Sequence, residues 1–208
     1  MSQLATALTP ELPRPVGRPR EFDRDRALDS AMRVFWRYGY EGASLTELTT
    51  AMGINRPSLY AAFGDKAALF REAVARYGAG PGRYVRRALG QPTARQVAET
   101  LLRGAVANAT DASHPGGCLW VHGALATGPE WVQVRDEMTA LRARGIDQIR
   151  ARLERARTDG DLPAGTDTEA LTLFVISMMH GIAVQAASGF TREQLQRAAD
   201  LAMTLWPA

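Results

Sequence analysis

The chain has 208 residues, of which 46% are hydrophobic and 23% are charged, as expected for a folded chain long enough to bury a core. Its 25 basic and 22 acidic residues leave a net charge of +3, which permits a nucleic-acid partner but does not require one. The single cysteine, Cys118, excludes an internal disulfide and fits a reducing compartment. We find no run near the ~20 apolar residues of a membrane span and no signal-peptide core, so the sequence predicts a cytoplasmic protein with no membrane partner.

Residues 1–20 are rich in proline and arginine and lack the apolar periodicity of a helix or strand. We predict a flexible basic arm that ends in the sequence GRPR. A first helix follows, because four apolar residues recur at spacings of three, four and three. They are Leu28, Ala31, Phe35 and Tyr38. Asp23 or Asp25 can cap the start of this helix, and Gly39 fits its end.

Two short helices with a glycine between them are predicted next. Ser44 and Glu47 have the spacing of a capping box, which predicts the start of the first of these helices. Gly53 then provides a tight turn that requires positive φ. The second helix is predicted over about residues 56–63. Two short helices joined in this way form a helix-turn-helix, whose second helix lies in the major groove of DNA.

The second of these helices has an apolar side and a polar side. Leu59 and Phe63, four residues apart, face the core and leave the polar side free to meet DNA. Arginine can pair bidentately with guanine, serine can bond several bases, and tyrosine has a hydroxyl for phosphate. The only lysine of the chain follows at the start of a fourth helix, as a point charge for the DNA backbone. The arginines of GRPR would reach the minor groove, or the arm would make no contact at all. The DNA-binding candidates are Arg18, Arg20, Ser44, Thr46, Asn55, Arg56, Ser58, Tyr60 and Lys66.

The string SLTELTTAMGINRPSLYAAFGDKAALF resembles the DNA-binding signature of the TetR family of transcriptional regulators, and the likeness covers residues 22–77. It rests on Ser44, Gly53, Leu59, Tyr60, Phe63, Lys66 and Leu69. Pro57 departs from the family pattern and stiffens the start of the recognition helix. The resemblance implies an all-α homodimeric repressor, with a three-helix domain that binds palindromic operator DNA and a larger C-terminal helical domain for dimerisation and ligand binding. A small-molecule effector would release DNA by separating recognition helices that must match half-sites about 34–36 Å apart.

The rest of the chain is also predicted to be helical. The expected helices lie at about 81–89, 93–109, 117–126, 130–158, 167–188 and 191–205. The breaks between them are rich in glycine, proline and small capping residues. We therefore predict a flexible arm at 1–20, a helix-turn-helix domain at 21–66, a linking helix at 65–77, and a ligand-binding and dimerisation domain at 78–208.

The last two predicted helices carry the apolar surface expected of a dimer interface. The segment 169–187 is apolar nearly all round, so it must be buried on most sides. Its small residues allow close helix approach: Gly181, Ala183, Ala186 and Ala187. The final helix has an apolar seam: Leu195, Ala198, Ala202 and Leu205. We interpret these residues as a four-helix interface between two subunits, with an ordinary monomer core as the alternative.

The expected effector is an apolar or aromatic molecule, or a reactive electrophile. Binding sites for small molecules are mostly apolar with a few polar groups. His180 is the strongest polar candidate, because a buried imidazole needs a partner. The pocket candidates, each of which could instead be plain core, are Cys118, Trp120, His122, Trp131, Met138, Met178 and His180.

Cys118 follows a proline and two glycines and precedes an apolar helical run. This position near a helix N-terminus predicts a lowered thiol pKa, with His122 one turn away on the same face. A repressor that switches when an electrophile or oxidant modifies Cys118 is therefore an alternative function, and a buried small hydrophobe is the structural alternative. A metal site of Cys118, His122 and His114 would need further ligands, so no metal is expected.

Two other classes of protein are less well supported. An enzyme could use Cys118 and His122 as nucleophile and base, but no orienting third group, phosphate-binding glycine loop or paired-carboxylate motif accompanies them. A helical scaffold that binds only protein would show no salt-dependent DNA affinity. We therefore expect a DNA-binding regulator that is not an enzyme and uses no cofactor.

Overall fold

The computed structural model describes residues 22–125 and 128–207, and the regular structure within these ranges is helical throughout. Its α-helices are α1 (Arg24–Gly42), α2 (Leu45–Met52), α3 (Arg56–Phe63), α4 (Lys66–Ala79), α5 (Tyr84–Leu89), α6 (Ala94–Ala109), α7 (Leu119–His122), α8 (Val132–Thr158), α9 (Thr168–Ala187) and α10 (Arg192–Thr204). Short 3₁₀ turns at Pro81–Arg83 and Pro129–Trp131 lead into α5 and α8. The predicted all-α class is confirmed. The predicted arm, with Arg18 and Arg20, lies outside the described residues.

Helix α1 forms the base of the N-terminal domain. Asp23 caps it, because its carboxylate accepts a hydrogen bond from the backbone N–H of Arg26 at 3.1 Å. The buried face differs from the predicted one at Tyr38, which is 48% exposed, whereas Tyr40 is buried. Gly39 explains the difference, since its φ of 70° breaks the helical path and turns the next residue toward the core.

Helices α2 and α3 form the predicted helix-turn-helix. Ser44 Oγ accepts from the N–H of Glu47 at 3.1 Å, and the Glu47 carboxylate accepts from the N–H of Ser44 at 2.9 Å, so the predicted capping box is present. Gly53 ends α2 in the left-handed region with a φ of 68°, as the turn requires. Leu59 and Phe63 are buried in the N-terminal core and anchor α3 there.

Helix α4 joins the helix-turn-helix to the remainder of the chain. Asp65 caps it by accepting a hydrogen bond from the N–H of Ala68 at 2.7 Å. Near its other end, Arg76 binds Asp29 of α1 at 2.8 Å and Asp25 at 3.2 Å. These ion pairs are partly exposed and so contribute modestly. The packing of α4 against α1 therefore rests mainly on buried apolar side chains.

The buried apolar residues form two cores. The first lies among α1–α4 and continues into α7 and the start of α8, through Leu119, Val121 and Met138. The second lies among α5, α6 and α8–α10, around Leu101, Leu153 and Ile182. Because the first core includes α7 and α8, these helices pack directly on the domain that carries the helix-turn-helix.

Helix α7 is shorter than the helix predicted at 117–126, because it ends at His122. The carbonyl of Gly123 accepts a hydrogen bond from the backbone N–H of Tyr40 at 2.7 Å instead of continuing the helix. A Cβ at Gly123 would lie 2.6 Å from the carbonyl oxygen of Leu119, so the chain needs glycine there. The end of α7 is thereby tied to the kink in α1.

Helix α9 corrects the expectation that no segment is long and apolar enough for a membrane span. Residues Thr168–Ala187 pass that test by length and composition, with a mean hydropathy of 1.7. The core helix of a globular protein passes the same test, and α9 packs against α6, α8 and α10. Only 28% of its most apolar stretch is buried within one copy of the chain, so much of its surface is left uncovered.

Candidate nucleic-acid interface and small-molecule pocket

Helix α3 presents a polar side to solvent. Arg56 is exposed, Ser58 is partly exposed, and Tyr60 is 46% exposed. Asn55 Oδ1 accepts a hydrogen bond from the N–H of Ser58 at 2.8 Å, so the Asn55 side chain caps the helix. Pro57 in the first turn removes an N–H that would have no helical partner. Arg56, Ser58 and Tyr60, which are predicted to meet DNA, therefore lie at accessible positions of one short helix.

Arg56 and Thr46 are brought together across the helix-turn-helix. Arg56 Nη2 donates a hydrogen bond to Thr46 Oγ1 at 3.1 Å, and both side chains are exposed. This bond holds the guanidinium beside α2. A contact with a base would be a bond of the same charge-assisted kind, from the guanidinium to a neutral acceptor, so the exchange costs little.

Ser44 and Lys66, the predicted phosphate contacts, lie at the N-terminal ends of α2 and α4. The Lys66 ammonium is 4.6 Å from the ring centre of Tyr40, 5.6 Å from that of Trp131, and 3.5 Å from the carbonyl oxygen of Glu41. Partial burial lowers the pKa of Lys66, against the effect of nearby carboxylates. Lys66 is thus partly folded in against aromatic rings and is not a fully solvated charge.

A cavity of about 230 Å³ lies between α5, α7, α8 and α9. Most of its wall is apolar: Val85, Trp120, Leu141, Ile146, Ile149, Ile176 and Met179. Its polar lining residues are Arg142, Arg144, Gln148 and His180. Arg144 and Gln148 are exposed, so they lie at its mouth. An apolar cavity with a few convergent polar groups has the usual form of a small-molecule site.

Arg142 and His180 lie deeper in this cavity than the residues at its mouth. Arg142 Nη1 donates to the carbonyl oxygen of Trp120, and its Nη2 donates to Thr139 Oγ1, both at 3.1 Å. Burial lowers the pKa of both Arg142 and His180, and the Arg142 charge lowers the pKa of His180 further. Arg142 therefore carries the charge at neutral pH, while His180 is uncharged.

Trp120 separates the cavity from helix α4. Its ring packs edge-on against Tyr77, with 5.0 Å between ring centres. It also occupies the space left by two glycines, since a Cβ would lie 2.6 Å from the indole at Gly82 and 3.1 Å from it at Gly78. A groove of about 450 Å³ between α4 and α8 shares Trp120 with the cavity. One side chain thus contacts both the cavity and the end of α4.

Four of the predicted pocket residues lie in or beside this cavity. Trp120 and His180 line it directly. Cys118 lines an adjoining space of about 40 Å³, whose wall also includes Trp120 and His180. Met138 lines the neighbouring groove between α4 and α8. These four of the seven predicted residues therefore lie in the region around Trp120.

The other three predicted pocket residues do not line the cavity. Trp131 packs edge-on against Tyr40, with 5.2 Å between ring centres. Met178 packs on the second core, and the adjacent Met179 points into the cavity in its place. His122 packs against Gly117, at which a Cβ would lie 2.5 Å from the imidazole. These three side chains pack against other parts of the protein and do not form the wall of the cavity.

The thiol of Cys118 is buried, with 7% of the residue exposed. The Tyr77 hydroxyl donates to Sγ at 3.3 Å, and Asn108 Nδ2 donates to the Tyr77 hydroxyl at 2.7 Å. His122 Nδ1 accepts from the backbone N–H of Cys118 at 3.5 Å. Burial raises the pKa of Cys118, so the predicted lowering is wrong. A helix of four residues supplies little dipole to oppose the cost of desolvating a thiolate.

The three residues considered for a metal site do not converge. His114 stacks on Trp36, with 4.2 Å between ring centres, and its Nδ1 lies 3.2 Å from the carbonyl oxygen of Pro115. Within residues 22–125 and 128–207, no group of three His, Cys, Asp or Glu side chains is placed to hold a metal ion. The polar residues that line the cavity are arginine, glutamine and histidine, so its described lining contains no carboxylate ligand for a metal ion.

Arg142 and Met179 are absent from the set of residues predicted for the pocket. On α8, Met138, Arg142, Gly145 and Ile149 recur at spacings of four, three and four. An arginine in an otherwise apolar stripe is therefore a signal that the sequence contains. For Met179 the sequence contains no such signal, because a helix that is apolar nearly all round does not reveal which side faces a cavity.

The fold and the exposed side of α3 define an all-helical DNA-binding protein with a ligand cavity in its C-terminal part. The family model for bacterial regulatory proteins of the tetR family matches residues 27–73, and the model for the tetracyclin repressor-like C-terminal domain matches residues 98–202. The chain is 31% identical to the HTH-type transcriptional repressor ComR of Escherichia coli (strain K12), over 98% of each chain. The chain belongs to the TetR family of transcriptional regulators.

Further relatives agree with this assignment. The chain is 28% identical to the HTH-type transcriptional regulator YezE of Bacillus subtilis (strain 168), over 91% of this chain and 99% of that one. Among solved structures, it resembles a cysteine mutant of the TetR family regulator CifR complexed with 26bp operator DNA. That likeness has a TM-score of 0.86 and 50% identity, and it covers 91% of this chain and all of the CifR chain.

Proposed function

We propose that this chain represses transcription in the cytoplasm by binding a palindromic operator as a homodimer, and that a small-molecule effector releases it. The observation that carries the proposal is the exposed polar side of α3, which Leu59 and Phe63 hold on the N-terminal core. Support comes from ComR, which is named a repressor, and from the CifR mutant, which is complexed with operator DNA.

The proposed contacts divide by their position on the helix-turn-helix. Arg56 and Ser58 would meet base edges, and Tyr60 would meet a base or phosphate. Lys66 and Ser44 would contact phosphate, because both lie where helix N–H groups favour an anion. Asn55, Thr46, Arg18 and Arg20 complete the proposed DNA surface. The proposed domains are an arm at 1–20, a helix-turn-helix domain at 21–66 with its linking helix at 65–77, and an effector and dimer domain at 78–208.

The proposed dimer interface uses the uncovered sides of α9 and α10. On α9, exposed residues recur at spacings of four, four and three: Leu173, Ser177, Gly181 and Val184. On α10, Ala198 and Leu201 are exposed, and so is Leu205 at its C-terminal cap, with Leu201 at 64% and Leu205 at 70%. A second copy would cover this apolar surface. A Cβ at Gly181 meets no atom within 4 Å, so a partner helix could approach closely there.

This surface corrects the predicted seam. Leu195 and Ala202 are buried in the core of the same chain, and so is Ala183 of α9. On each of the two helices, the buried residues lie on a different side of the helix from the exposed residues. Ala186 packs in part on the second core, whereas Ala187 is exposed. The proposed interface therefore retains Gly181, Ala187, Ala198 and Leu205 from the prediction.

Trp120 offers a physical route from effector to DNA. An occupant of the cavity would press on an indole that already fills the space beside Gly78 and Gly82. Because Gly78 belongs to α4, which begins at Lys66, displacement of Trp120 would shift the helix that carries the DNA-binding domain. A shift of a few ångströms in one subunit would spoil the match of two recognition helices to half-sites about 34–36 Å apart.

The proposal is tested by measuring binding of the purified chain to the duplex upstream of its own gene at several salt concentrations. We expect specific binding that weakens as salt rises, because phosphate contacts release counterions. Selection from random duplexes provides a second arm if that site is not the operator. Failure to enrich any palindromic sequence in the selection would contradict the proposal.

A thiol switch at Cys118 is the alternative mode of release. The observation in its favour is that Cys118 lines the small space beside the effector cavity, so a bound electrophile could approach the thiol. Operator binding before and after alkylation, with Cys118→Ser as the control for steric damage, separates the two modes. Release that depends on Cys118 would support the switch.

A further inference from the structure

We infer that the effector cavity takes a compact organic acid, an apolar group of about one ring bearing a carboxylate that is bound by Arg142 and His180. This inference rests on the proposed function, because it names the class of ligand for the same cavity. Its basis is the distribution of charge in the lining.

The lining of the cavity is basic. Arg142, Arg144 and His180 contribute to it, and none of the described residues that line it is acidic. Arg142 forms no ion pair with any described residue. The neighbouring groove differs, because its Arg71 is paired with Glu137 at 2.7 Å. The charge of Arg71 in the groove is therefore balanced by a carboxylate, whereas the charge of Arg142 in the cavity is not.

A partly buried arginine without a carboxylate is costly, because desolvation is not offset by an opposite charge. The two hydrogen bonds that Arg142 makes go to neutral oxygens, of Trp120 and Thr139. A guanidinium has five N–H donors in a planar fork, so three remain for a ligand. A carboxylate matches that fork and would supply the missing negative charge.

His180 supplies a second donor to the same ligand. It lines the cavity from α9, opposite the α8 residue Arg142, and it makes no side-chain hydrogen bond with the described residues. Arg142 is close enough for its charge to lower the pKa of His180. A carboxylate between the two would accept a hydrogen bond from each. A cationic ligand would meet repulsion from Arg142 and find no carboxylate among the lining residues.

The size and the remaining walls set the apolar part of the ligand. A cavity of roughly 150 Å³ lined by aliphatic side chains takes up benzene. The present cavity, at about 230 Å³, leaves room for a ring and a short acidic arm. Val85, Ile176 and Met179 would contact the ring, and Trp120 would lie against it.

The experiment uses the full-length protein and three acids, benzoate, phenylacetate and 3-phenylpropanoate, each paired with its uncharged primary amide. Isothermal titration calorimetry gives affinities, and thermal melting gives an independent measure of binding. For at least one pair we expect the acid to bind about tenfold or more tightly than the amide, the value of a charge-assisted hydrogen bond. Equal affinities in all three pairs, or no binding by any acid, would overturn the inference.

Substitutions in the cavity identify which residue recognises the negative charge of the ligand. Arg142→Gln should abolish the preference for the acid, whereas Arg155→Gln, at an exposed position of α8 that does not line the cavity, should retain it. Arg142→Lys keeps a positive charge and should retain part of the preference, which covers the case in which Arg142→Gln does not fold. His180→Gln should weaken acid binding less than Arg142→Gln. If Arg142→Gln folded and still preferred the acid as the parent does, the assignment would be wrong.

Operator binding is measured on the same samples without ligand. A parent protein that binds its operator but prefers no acid refutes this inference and leaves the repressor proposal intact. A protein that prefers the acids but binds no DNA refutes the repressor proposal and leaves the ligand class intact. The two failures are therefore distinguishable.

Discussion

The indole of Trp120 takes the place of a side chain at Gly82. A Cβ at Gly82 would lie 2.6 Å from Cη2 of Trp120 and within 3.1 Å of two further atoms of that ring. Gly82 lies in the turn between α4 and α5, so this contact links the wall of the cavity between α5, α7, α8 and α9 to the backbone that follows α4. The indole can therefore occupy this position only because residue 82 is a glycine and has no Cβ.

Gly82→Ala should push Trp120 into the cavity that we propose binds the effector. We expect a loss of about 1–3 kcal/mol in the free energy of unfolding, as for other overpacked sites, and a loss of ligand affinity. Denaturant unfolding and calorimetric titration with the tightest-binding acid check these outcomes. Gly78→Ala, where the same ring is 3.1 Å away, should show a weaker effect, and Gly165→Ala, where a Cβ meets nothing within 4 Å, should show none. Unchanged ligand affinity in Gly82→Ala would mean that residues other than Trp120 move to accommodate the added methyl group.

Arg56→Ala should reduce affinity for the operator by about 1–3 kcal/mol and relax base preference at one position of each half-site. The reason is that a bidentate contact to guanine carries both energy and specificity. Arg155→Ala removes the same charge from an exposed position of α8, outside the helix-turn-helix domain, so it serves as the matched control and should keep the parental affinity and preference. Fluorescence anisotropy with the operator and with single-base variants measures both effects. An Arg56→Ala protein with parental affinity and preference would place the recognition surface elsewhere.

Lys66→Ala should weaken binding to all DNA sequences alike and reduce the slope of log affinity against log salt by about 1. The ammonium is the only one supplied by a lysine in this chain, and it lies at the N-terminal end of α4. Lys66→Arg keeps the charge and should keep the parental slope. The alanine variant should also lose about 0.5–1 kcal/mol of stability, because it loses the contact with the Tyr40 ring. Stability loss with an unchanged salt slope would show that Lys66 serves packing alone.

The helix-turn-helix could be predicted from the sequence because its determinants are local. Ser44 and Glu47 cap α2 from three residues apart, and Gly53 supplies the positive φ that the turn requires. Tyr38 and Tyr40 show where local spacing fails. The kink at Gly39 moves the core position by two residues, and the N–H of the next residue, Tyr40, donates a hydrogen bond to the carbonyl of Gly123, a residue far along the chain.

The cavity could be predicted only in part, because its wall comes from four helices. Trp120 and His180 were identifiable as an aromatic and a polar residue within apolar segments. Met178 and Met179 could not be told apart, because α9 is apolar on nearly every side. Cys118 illustrates a different limit. Its place at the start of a helix indicates a lowered pKa, but only the packing reveals that desolvation outweighs the dipole of so short a helix.

Cys118 should react slowly with iodoacetamide in the folded protein at neutral pH. Burial raises the pKa of the thiol above its ordinary value, so the folded state holds less thiolate than the unfolded state does. Labelling followed by mass spectrometry should give a rate about tenfold or more below that of the denatured chain. By the same linkage, this group's contribution to stability is fully present below the unfolded thiol pKa and is lost as pH rises from there through the raised pKa of the folded thiol. Rapid native labelling that releases operator DNA would favour the thiol switch over a reversible effector.

Leu201→Glu should convert the protein to a monomer and abolish tight operator binding. Leu201 is 64% exposed on α10, and it lies three residues from Ala198 and four from Leu205 on the side that we propose is covered by a second copy. A carboxylate buried against an apolar partner would cost several kcal/mol of association free energy.

Val132→Glu, which places the same charge at an exposed apolar residue of α8, is the matched control and should leave the dimer intact. Analytical ultracentrifugation gives the mass, and far-UV circular dichroism verifies that the helices persist. A dimeric Leu201→Glu protein would exclude this surface, and a monomer that kept full operator affinity would exclude the requirement for a dimer.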